Sequence, residues 1–113
     1  MEIVHRGETL RVSGLKELGA ANCNWFREEV RAALPPKLHA IEIDLSETSF
    51  VDSCGLGALV SLHKAAAQIN GGVTVRLLNP TPPVQQIFEL TRMHRLFEIV
   101  KRSNGSPDEP GAT

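Results

Sequence analysis

The 113-residue chain contains no tyrosine, one tryptophan and two cysteines. Two cysteines are too few for the disulfide framework of a small secreted domain, so we expect a reduced protein. The sequence has no run of 18 apolar residues, which predicts no membrane insertion. Residues 1–6 lack a basic region followed by an apolar core, so we expect no secretion signal and a cytoplasmic protein.

The chain has no large excess of charge of either sign, because it contains 12 Lys and Arg and 13 Asp and Glu, which gives a formal net charge of −1. A near-neutral chain has no general electrostatic reason to bind DNA or RNA, so we expect no direct nucleic-acid partner. The composition is that of a globular protein, with 42% hydrophobic and 22% charged residues. We assign residues 1–100 to one domain and 101–113 to a flexible C-terminal tail.

Hydrophobic periodicity predicts the element order β-β-α-β-α-β-α-β. The predicted strands are 2–5, 8–13, 40–45, 73–78 and 96–100, and the predicted helices begin at Ala20, Gly55 and Thr81. The segments 14–19 and 46–52 are interpreted as loops, and Thr81 as a helix cap. The pattern indicates an α/β domain, with a mixed sheet of about five strands and three or more helices packed mainly on one face.

We expect some of the aromatic residues and cysteines to lie in the core and others on the surface. Phe50 is predicted to be buried and to anchor its loop, so that Phe50→Ala would cost about 3–5 kcal/mol. Cys23 lies on the apolar stripe of the first helix, whereas Cys54 is expected to be partly exposed. Trp25 lies off that stripe, so it is either an exposed partner contact or folded back over the helix or the 14–19 loop.

The segment from Asp52 to Gly57 opens the second predicted helix and fits no catalytic motif. Asp52 or Ser53 is expected to cap the helix. Ser53 lacks the G-x-S-x-G setting of a hydrolase, and no acidic–histidine pair can be assigned to it, so we predict no enzyme activity. Gly55 and Gly57 resemble the start of a dinucleotide fingerprint, but its third glycine is missing. Close packing of the helix on the sheet explains these glycines better, and we expect no cofactor.

The histidines and cysteines do not form a metal motif. The chain has no C-x-x-C pair, and its four histidines lack the spacing of metal ligands; they are His5, His39, His63 and His94. We therefore predict no metal site.

Residues 41–57, which read IEIDLSETSFVDSCGLG, resemble the signature of the STAS domain, as found in bacterial anti-sigma factor antagonists. In that family a strand ending in Asp-Leu leads through a short loop to Asp-Ser-Ser/Thr-Gly-Leu-Gly at a helix start. The glycines of residues 71–72, the Leu-Asn-Pro of 78–80 and the helix of 84–90 match in the same order. The resemblance covers roughly residues 8–100 and implies a single STAS-like domain.

The resemblance implies a non-enzymatic regulator that binds an anti-sigma factor, itself a serine kinase, and so frees a sigma factor. Phosphorylation of the serine after the signature aspartate, here Ser53, would prevent binding, and a PP2C-type phosphatase would restore it. The implied partner-binding residues are Asp52, Ser53, Cys54, Gly55, Leu56 and Gly57, together with Glu17. Cys54 departs from the usual Ser or Thr, and Glu17 from the usual Asp of the early loop.

Two other functions on the same fold stay open. The chain could be a STAS subunit of a membrane lipid-transport complex of the ABC type, without phosphorylation. It could also be a STAS domain that senses a small molecule or nucleotide. Ser53 favours the phosphorylated regulator, but a serine that only caps the helix would look identical.

Overall fold

The structure is a computed structural model that describes residues 1–35, 37–69 and 71–101. Its elements are β1 (Glu2–Arg6), β2 (Thr9–Ser13), β3 (Glu17–Leu18), α1 (Cys23–Ala32), β4 (Ala40–Asp44), β5 (Phe50–Val51), α2 (Ser53–Ala67), β6 (Thr74–Leu78), α3 (Pro82–Leu90), a 3-10 turn (Met93–Arg95) and β7 (Glu98–Val100). The predicted order is confirmed, with two short strands added. The tail predicted from residue 101 onwards lies outside the described residues, apart from Lys101.

Five strands form one mixed sheet in the order β1-β2-β4-β6-β7. β1 pairs with β2 antiparallel, and the other neighbours pair in parallel. Within β4, Ile41 and Ile43 are buried while Glu42 between them is partly exposed. Because successive side chains of a strand point to opposite faces, one face of the sheet is apolar and the other is polar.

The core lies between the apolar face of the sheet and the helices. Buried residues of α1 recur at helical spacing, with Cys23, Phe26 and Val30 on one side. They join one hydrophobic cluster with the sheet residues and with α2 and α3. Helices α1 and α2 pack against each other, and α2 packs on β6. The predicted packing of helices mainly on one face is confirmed. Among the described helices, none is long and apolar enough to cross a membrane.

The other face of the sheet carries alternating charge across four strands. Glu42 on β4 lies 3.6 Å from Arg11 on β2 and 3.5 Å from Arg76 on β6. Arg76 also lies 3.0 Å from Glu98 on β7. Opposite charges on neighbouring strands favour this register, although each partly exposed pair contributes only about 0–1 kcal/mol. These pairs largely satisfy the charges of the face within the sheet itself.

Thr48 ties together the loops at the carboxyl ends of the parallel strands. Its hydroxyl donates to the Leu15 carbonyl at 2.6 Å, and its carbonyl accepts from the Thr81 hydroxyl at 2.6 Å. The loops after β2, β4 and β6 therefore meet at one buried threonine. The expected side-chain cap from Thr81 is wrong, because that hydroxyl is engaged by Thr48. Thr81 nevertheless occupies the N-cap position of α3.

The prediction of a buried Phe50 is wrong, since 48% of this residue is exposed. The two segments interpreted as loops contain β3 and β5, which pair with each other in parallel. Side chains alternate along β5, so Val51 faces the core at 2% exposure while Phe50 faces outwards. Phe50 lies opposite Glu17 of β3.

Phe50→Ala should therefore lower the free energy of unfolding by about 1 kcal/mol, well below the 3–5 kcal/mol typical of a core phenylalanine. Phe88, which is fully buried on α3, is the matched control. Phe88→Ala should cost about 3–5 kcal/mol in the same urea titration. Equal losses for the two variants would contradict the exposed placement of Phe50.

Candidate partner-binding site

Asp52 joins the start of α2 to the loop that follows β3. Its Oδ1 accepts the N–H of Gly55 at 3.0 Å, which is the side-chain bond of a helix N-cap. Its Oδ2 accepts the N–H of Ala20 at 3.0 Å. Asp52 is thus confirmed as the cap, and the same carboxylate holds a loop that lies 32 residues away in sequence.

These bonds also set the charge state of Asp52. The N–H of Gly55, followed by that of Ala20, lowers the pKa of the Asp52 carboxyl below its ordinary value of 3.8, and outweighs burial, which acts in the opposite direction. Hydrogen bonds to the charged form favour ionisation. Asp52 is therefore a carboxylate throughout the neutral range.

The lowered pKa predicts a pH-dependent contribution to stability. Because the folded pKa lies below the unfolded one, the contribution is fully present above the unfolded value of 3.8 and is lost as pH falls through the folded pKa. Asp52→Asn should destabilise the protein at pH 7, and the difference from the wild type should shrink below about pH 4. The measurement is urea unfolding from pH 7 to pH 3.

Glu29→Gln provides the control for that titration, since Glu29 is exposed on α1 and takes no part in the bonds that Asp52 makes to Gly55 and Ala20. This variant should track the wild type at every pH. A constant difference between wild type and Asp52→Asn across the whole range would contradict the linkage.

Two glycines allow the α2 start and the β3 loop to approach this closely. A Cβ on Gly55 would lie 2.0 Å from the carbonyl oxygen of Leu18, and a Cβ on Gly19 would lie 2.7 Å from Oδ2 of Asp52. Gly57 differs, because nothing lies within 4 Å of a Cβ at that position. The close-packing explanation is confirmed for Gly55 and is wrong for Gly57, which is exposed.

Asn22 shapes the loop that Asp52 holds. Its Oδ1 accepts the N–H of Gly19 at 2.9 Å, and its Nδ2 donates to the carbonyl of Glu17 at 2.8 Å. The sequence analysis missed Gly19 and Asn22 as supports of the site. Their only signal is a glycine and an asparagine three residues apart before a helix, which is typical of many turns.

Ser53 is the first residue of α2 and is exposed. Within the described ranges, its hydroxyl is not engaged in a hydrogen bond. A helix N-terminus favours negative charge, because its first N–H groups lack partners within the helix and the helix dipole is positive there. The position can therefore carry an added phosphate without loss of the helix.

The predicted binding residues meet at one end of the molecule, but they differ in access. Glu17, Ser53, Cys54 and Gly57 are exposed, Asp52 and Leu56 are partly exposed, and Gly55 is buried. Gly55 therefore acts by letting α2 approach β3 and presents no side-chain surface. Exposed Phe50, opposite Glu17, adds an aromatic side chain that the sequence analysis placed in the core.

Helix α1 carries an exposed tryptophan and borders a groove on the surface. Trp25 is 47% exposed, which favours the surface alternative of the two left open by the sequence. The groove between α1 and α2 has a volume of about 220 Å³ and is lined by Asn24, Arg27, Glu28, Arg31 and Ser61. Ligand pockets are typically about 300–1,000 Å³ and mostly apolar, so this small charged groove does not favour a small-molecule site.

The cysteines occupy the environments that the sequence predicts: Cys23 is buried and Cys54 is exposed. The ring of His63 packs edge-on against Phe97, with centroids 5.3 Å apart. In the part of the chain that the structure describes, no three His, Cys, Asp or Glu side chains are grouped so that they could hold a metal ion.

Comparison with known proteins gives the family. The STAS domain family model matches residues 1–105, and the chain belongs to that family. A STAS-domain containing protein of Pseudomonas aeruginosa is 29% identical over 92 residues, which cover 80% of this chain and 85% of that protein.

Solved structures share the fold at low sequence identity. A candidate anti-sigma factor antagonist from Thermotoga maritima superposes with a TM-score of 0.75 at 23% identity, covering 88% of this chain and 84% of that one. The anti-sigma factor antagonist SpoIIAA in its unphosphorylated form gives 0.69 at 19% identity, covering 91% and 88%, and a Bacillus SpoIIAA structure also exists in a phosphorylated form. The murine solute carrier 26 member A9 anion transporter gives 0.72 at 24% identity, covering 85% of this chain and only 16% of the transporter.

Proposed function

We propose that this protein is an anti-sigma factor antagonist, a cytoplasmic regulator without catalytic activity of its own. Its partners are an anti-sigma factor that is also a serine kinase and a PP2C-type phosphatase. The observation that carries the proposal is the exposed, unengaged hydroxyl of Ser53 at the Asp52-capped start of α2. SpoIIAA, which has the same fold, exists in unphosphorylated and phosphorylated forms.

Two residues of the site have separate roles: Asp52 supports the backbone, and Ser53 is the residue at which the charge changes. Asp52 holds the start of α2 through Gly55 and the β3 loop through Ala20, so the Ser53 hydroxyl is presented from a fixed backbone. A phosphate on Ser53 would alter the charge of the surface while the bonds of Asp52 remain in place. Partner binding can therefore be switched while the domain stays folded.

The partner surface comprises the exposed residues of the α2 start, with Glu17 and Phe50 beside them. Gly57→Arg tests this surface, because the side chain enters open space and no core group is removed. The variant should fold normally and bind the kinase at least about tenfold more weakly, since a bulky charge prevents close approach. Gln68→Arg, exposed at the far end of the same helix, should bind like the wild type. Unchanged affinity for Gly57→Arg, measured by calorimetry, would place the surface elsewhere.

The phosphoacceptor is tested by incubating the protein with the cognate kinase and ATP and mapping the phosphate by mass spectrometry. Stoichiometric phosphate on Ser53, and none on a Ser53→Ala variant that still binds the kinase, is the expected result. Ser46 and Ser49 are exposed hydroxyls on the preceding loop and are the internal competitors. Phosphate on either of them with none on Ser53 would overturn the assignment. No phosphate at all would favour the subunit of a lipid-transport complex instead.

A further inference from the structure

Strand β1 (Glu2–Arg6) forms one edge of the five-stranded sheet. It pairs with β2 on one side, and among the strands of the described residues none pairs with its other side. The opposite edge is β7, which has only three residues. Proteins protect the free N–H and C=O groups of sheet edges by keeping the strand short or by placing proline or lysine there. β1 has five residues and contains neither proline nor lysine, so its edge is open to another strand.

The hairpin of β1 and β2 determines which backbone groups face that edge. Arg6 lies opposite Thr9, and the two residues between them begin with Gly7 at a φ of 57°, as in a type II′ turn. The pair that closes such a two-residue turn exchanges both hydrogen bonds, and bonded pairs then alternate along the strands. Arg6 and every second residue before it therefore bond to β2. The N–H and C=O groups of Ile3 and His5 point away from β2, towards the free edge.

We propose that two copies of this chain pair through β1, antiparallel and centred on Val4. In this register Ile3 of one copy lies opposite His5 of the second copy, so that the outward N–H and C=O groups of both copies bond to each other. The two-fold axis passes between the two Val4 residues, whose side chains pack together. The arrangement is a closed two-fold dimer, and it joins the two sheets into one.

The charges of β1 select this register. Glu2 of each copy lies opposite Arg6 of the second copy, so an ion pair forms on each side of the two-fold axis. Both residues are exposed, and they lie opposite the uncharged Ser13 and Thr9 of β2. Neither belongs to a salt bridge within the described residues. A register centred on Ile3 or His5 would lose both ion pairs and leave part of the strand without a partner.

Sedimentation equilibrium of the full chain tests the association directly. The measurement runs from about 10 μM to about 1 mM, because an interface made mainly by one strand is small and binds weakly. We expect a monomer at the lower end and a dimer at the upper end. A chain that stays monomeric over the whole range would overturn the proposal.

His5→Pro tests whether the edge of β1 is the contact. Proline removes an N–H that points to the free edge, leaves the bonds to β2 in place and is tolerated in an edge strand. The variant should unfold in urea like the wild type and associate at least about tenfold more weakly. His5→Ala, which keeps the N–H, is the matched control and should associate like the wild type. Association of His5→Pro at wild-type strength would place the dimer contact elsewhere and refute the proposal.

Two charge reversals test the register, and they remain informative if His5→Pro does not fold. Glu2→Arg and Arg6→Glu each bring like charges opposite one another across the two-fold axis, so each variant alone should associate at least about fivefold more weakly. In an equimolar mixture of the two variants every pair is again opposite in charge, and association should return to the wild-type strength. A mixture that associates no better than its components would contradict the pairing about Val4. None of these assays needs a kinase or phosphatase, so failure here is distinguishable from failure of the proposed function.

Discussion

Gly55→Ala should lower the free energy of unfolding by about 3 kcal/mol, although alanine is the better helix former. The added Cβ would lie 2.0 Å from the Leu18 carbonyl oxygen and 2.8 Å from its carbonyl carbon. Both atoms belong to the backbone of β3, so they cannot move aside as the end of a flexible side chain can. Either α2 or β3 must shift, and a shift of either strains the bonds that Asp52 makes to both segments.

Gly57→Ala is the matched control, since it places the same methyl group two residues further along the same helix. Open space surrounds that position, so only the helix propensity changes, and stability should rise by about 0.5–1 kcal/mol. Urea titrations of both variants give the comparison. Similar values for the two variants would mean that α2 does not pack on β3 as closely as the structure indicates.

The opposite behaviour expected of these two glycines illustrates what a sequence pattern leaves open. Gly55 and Gly57 stand in the same motif, and the pattern suggests one explanation for both. Only the position of the Leu18 carbonyl, which a distant part of the chain supplies, separates the glycine that packs from the glycine that is exposed.

The main elements could be predicted because their apolar residues repeat. Phe26 and Val30 lie on one stripe of α1, and Ile41 and Ile43 alternate in β4, so the period alone identifies each element. The start of α2 was predicted two residues late, at Gly55, because the helix begins with Ser53 directly after its cap. A small polar residue at a helix start carries no periodic signal.

The misplaced Phe50 has a different cause. β3 and β5 have only two residues each, too few for an alternating pattern, and each is stabilised by the other across the molecule. In the sequence, Phe50 and Val51 are adjacent apolar residues in a polar stretch, and nothing in the local pattern indicates which of the two faces the core. The parallel pairing decides that Val51 faces inwards. Local pattern could not supply that choice, because it depends on a contact between remote segments.

The central residues of the candidate site could be predicted from the sequence, but the contacts that hold them in place could not. Asp52 and Ser53 could be identified from the residues of a helix start and from the family resemblance. The Asp52 carboxylate makes its second bond to Ala20, and Gly19 leaves the space for it. Both contacts join segments that are remote in sequence, so no local pattern indicates them.

Charge at the α2 start decides how strongly a phosphate should act on binding. Asp52 is ionised at neutral pH, and Glu17 is exposed on the neighbouring strand. A phosphate on Ser53 would add about −1.5 to −2 charges to a surface that is already negative. A partner that tolerates the unmodified surface would then meet three negative groups, on Asp52, Glu17 and Ser53.

Phosphorylation of Ser53 should weaken partner binding about a hundredfold. At roughly 6 Å and an effective dielectric constant near 20, each added unit charge that meets a partner carboxylate costs about 3 kcal/mol, and every 1.4 kcal/mol is about tenfold in affinity. Ser53→Ala should keep the affinity of the unmodified protein, and Ser53→Asp should bind with an intermediate affinity because one carboxylate carries less charge.

Ser46→Asp, an added charge on the preceding exposed loop, is the matched control and should change affinity by less than about threefold. Calorimetric titrations at two ionic strengths provide the decisive comparison, since an electrostatic penalty shrinks as salt rises. Equal affinities for the phosphorylated and unmodified protein would remove Ser53 as the switch, even if it proves to be the residue that the kinase modifies.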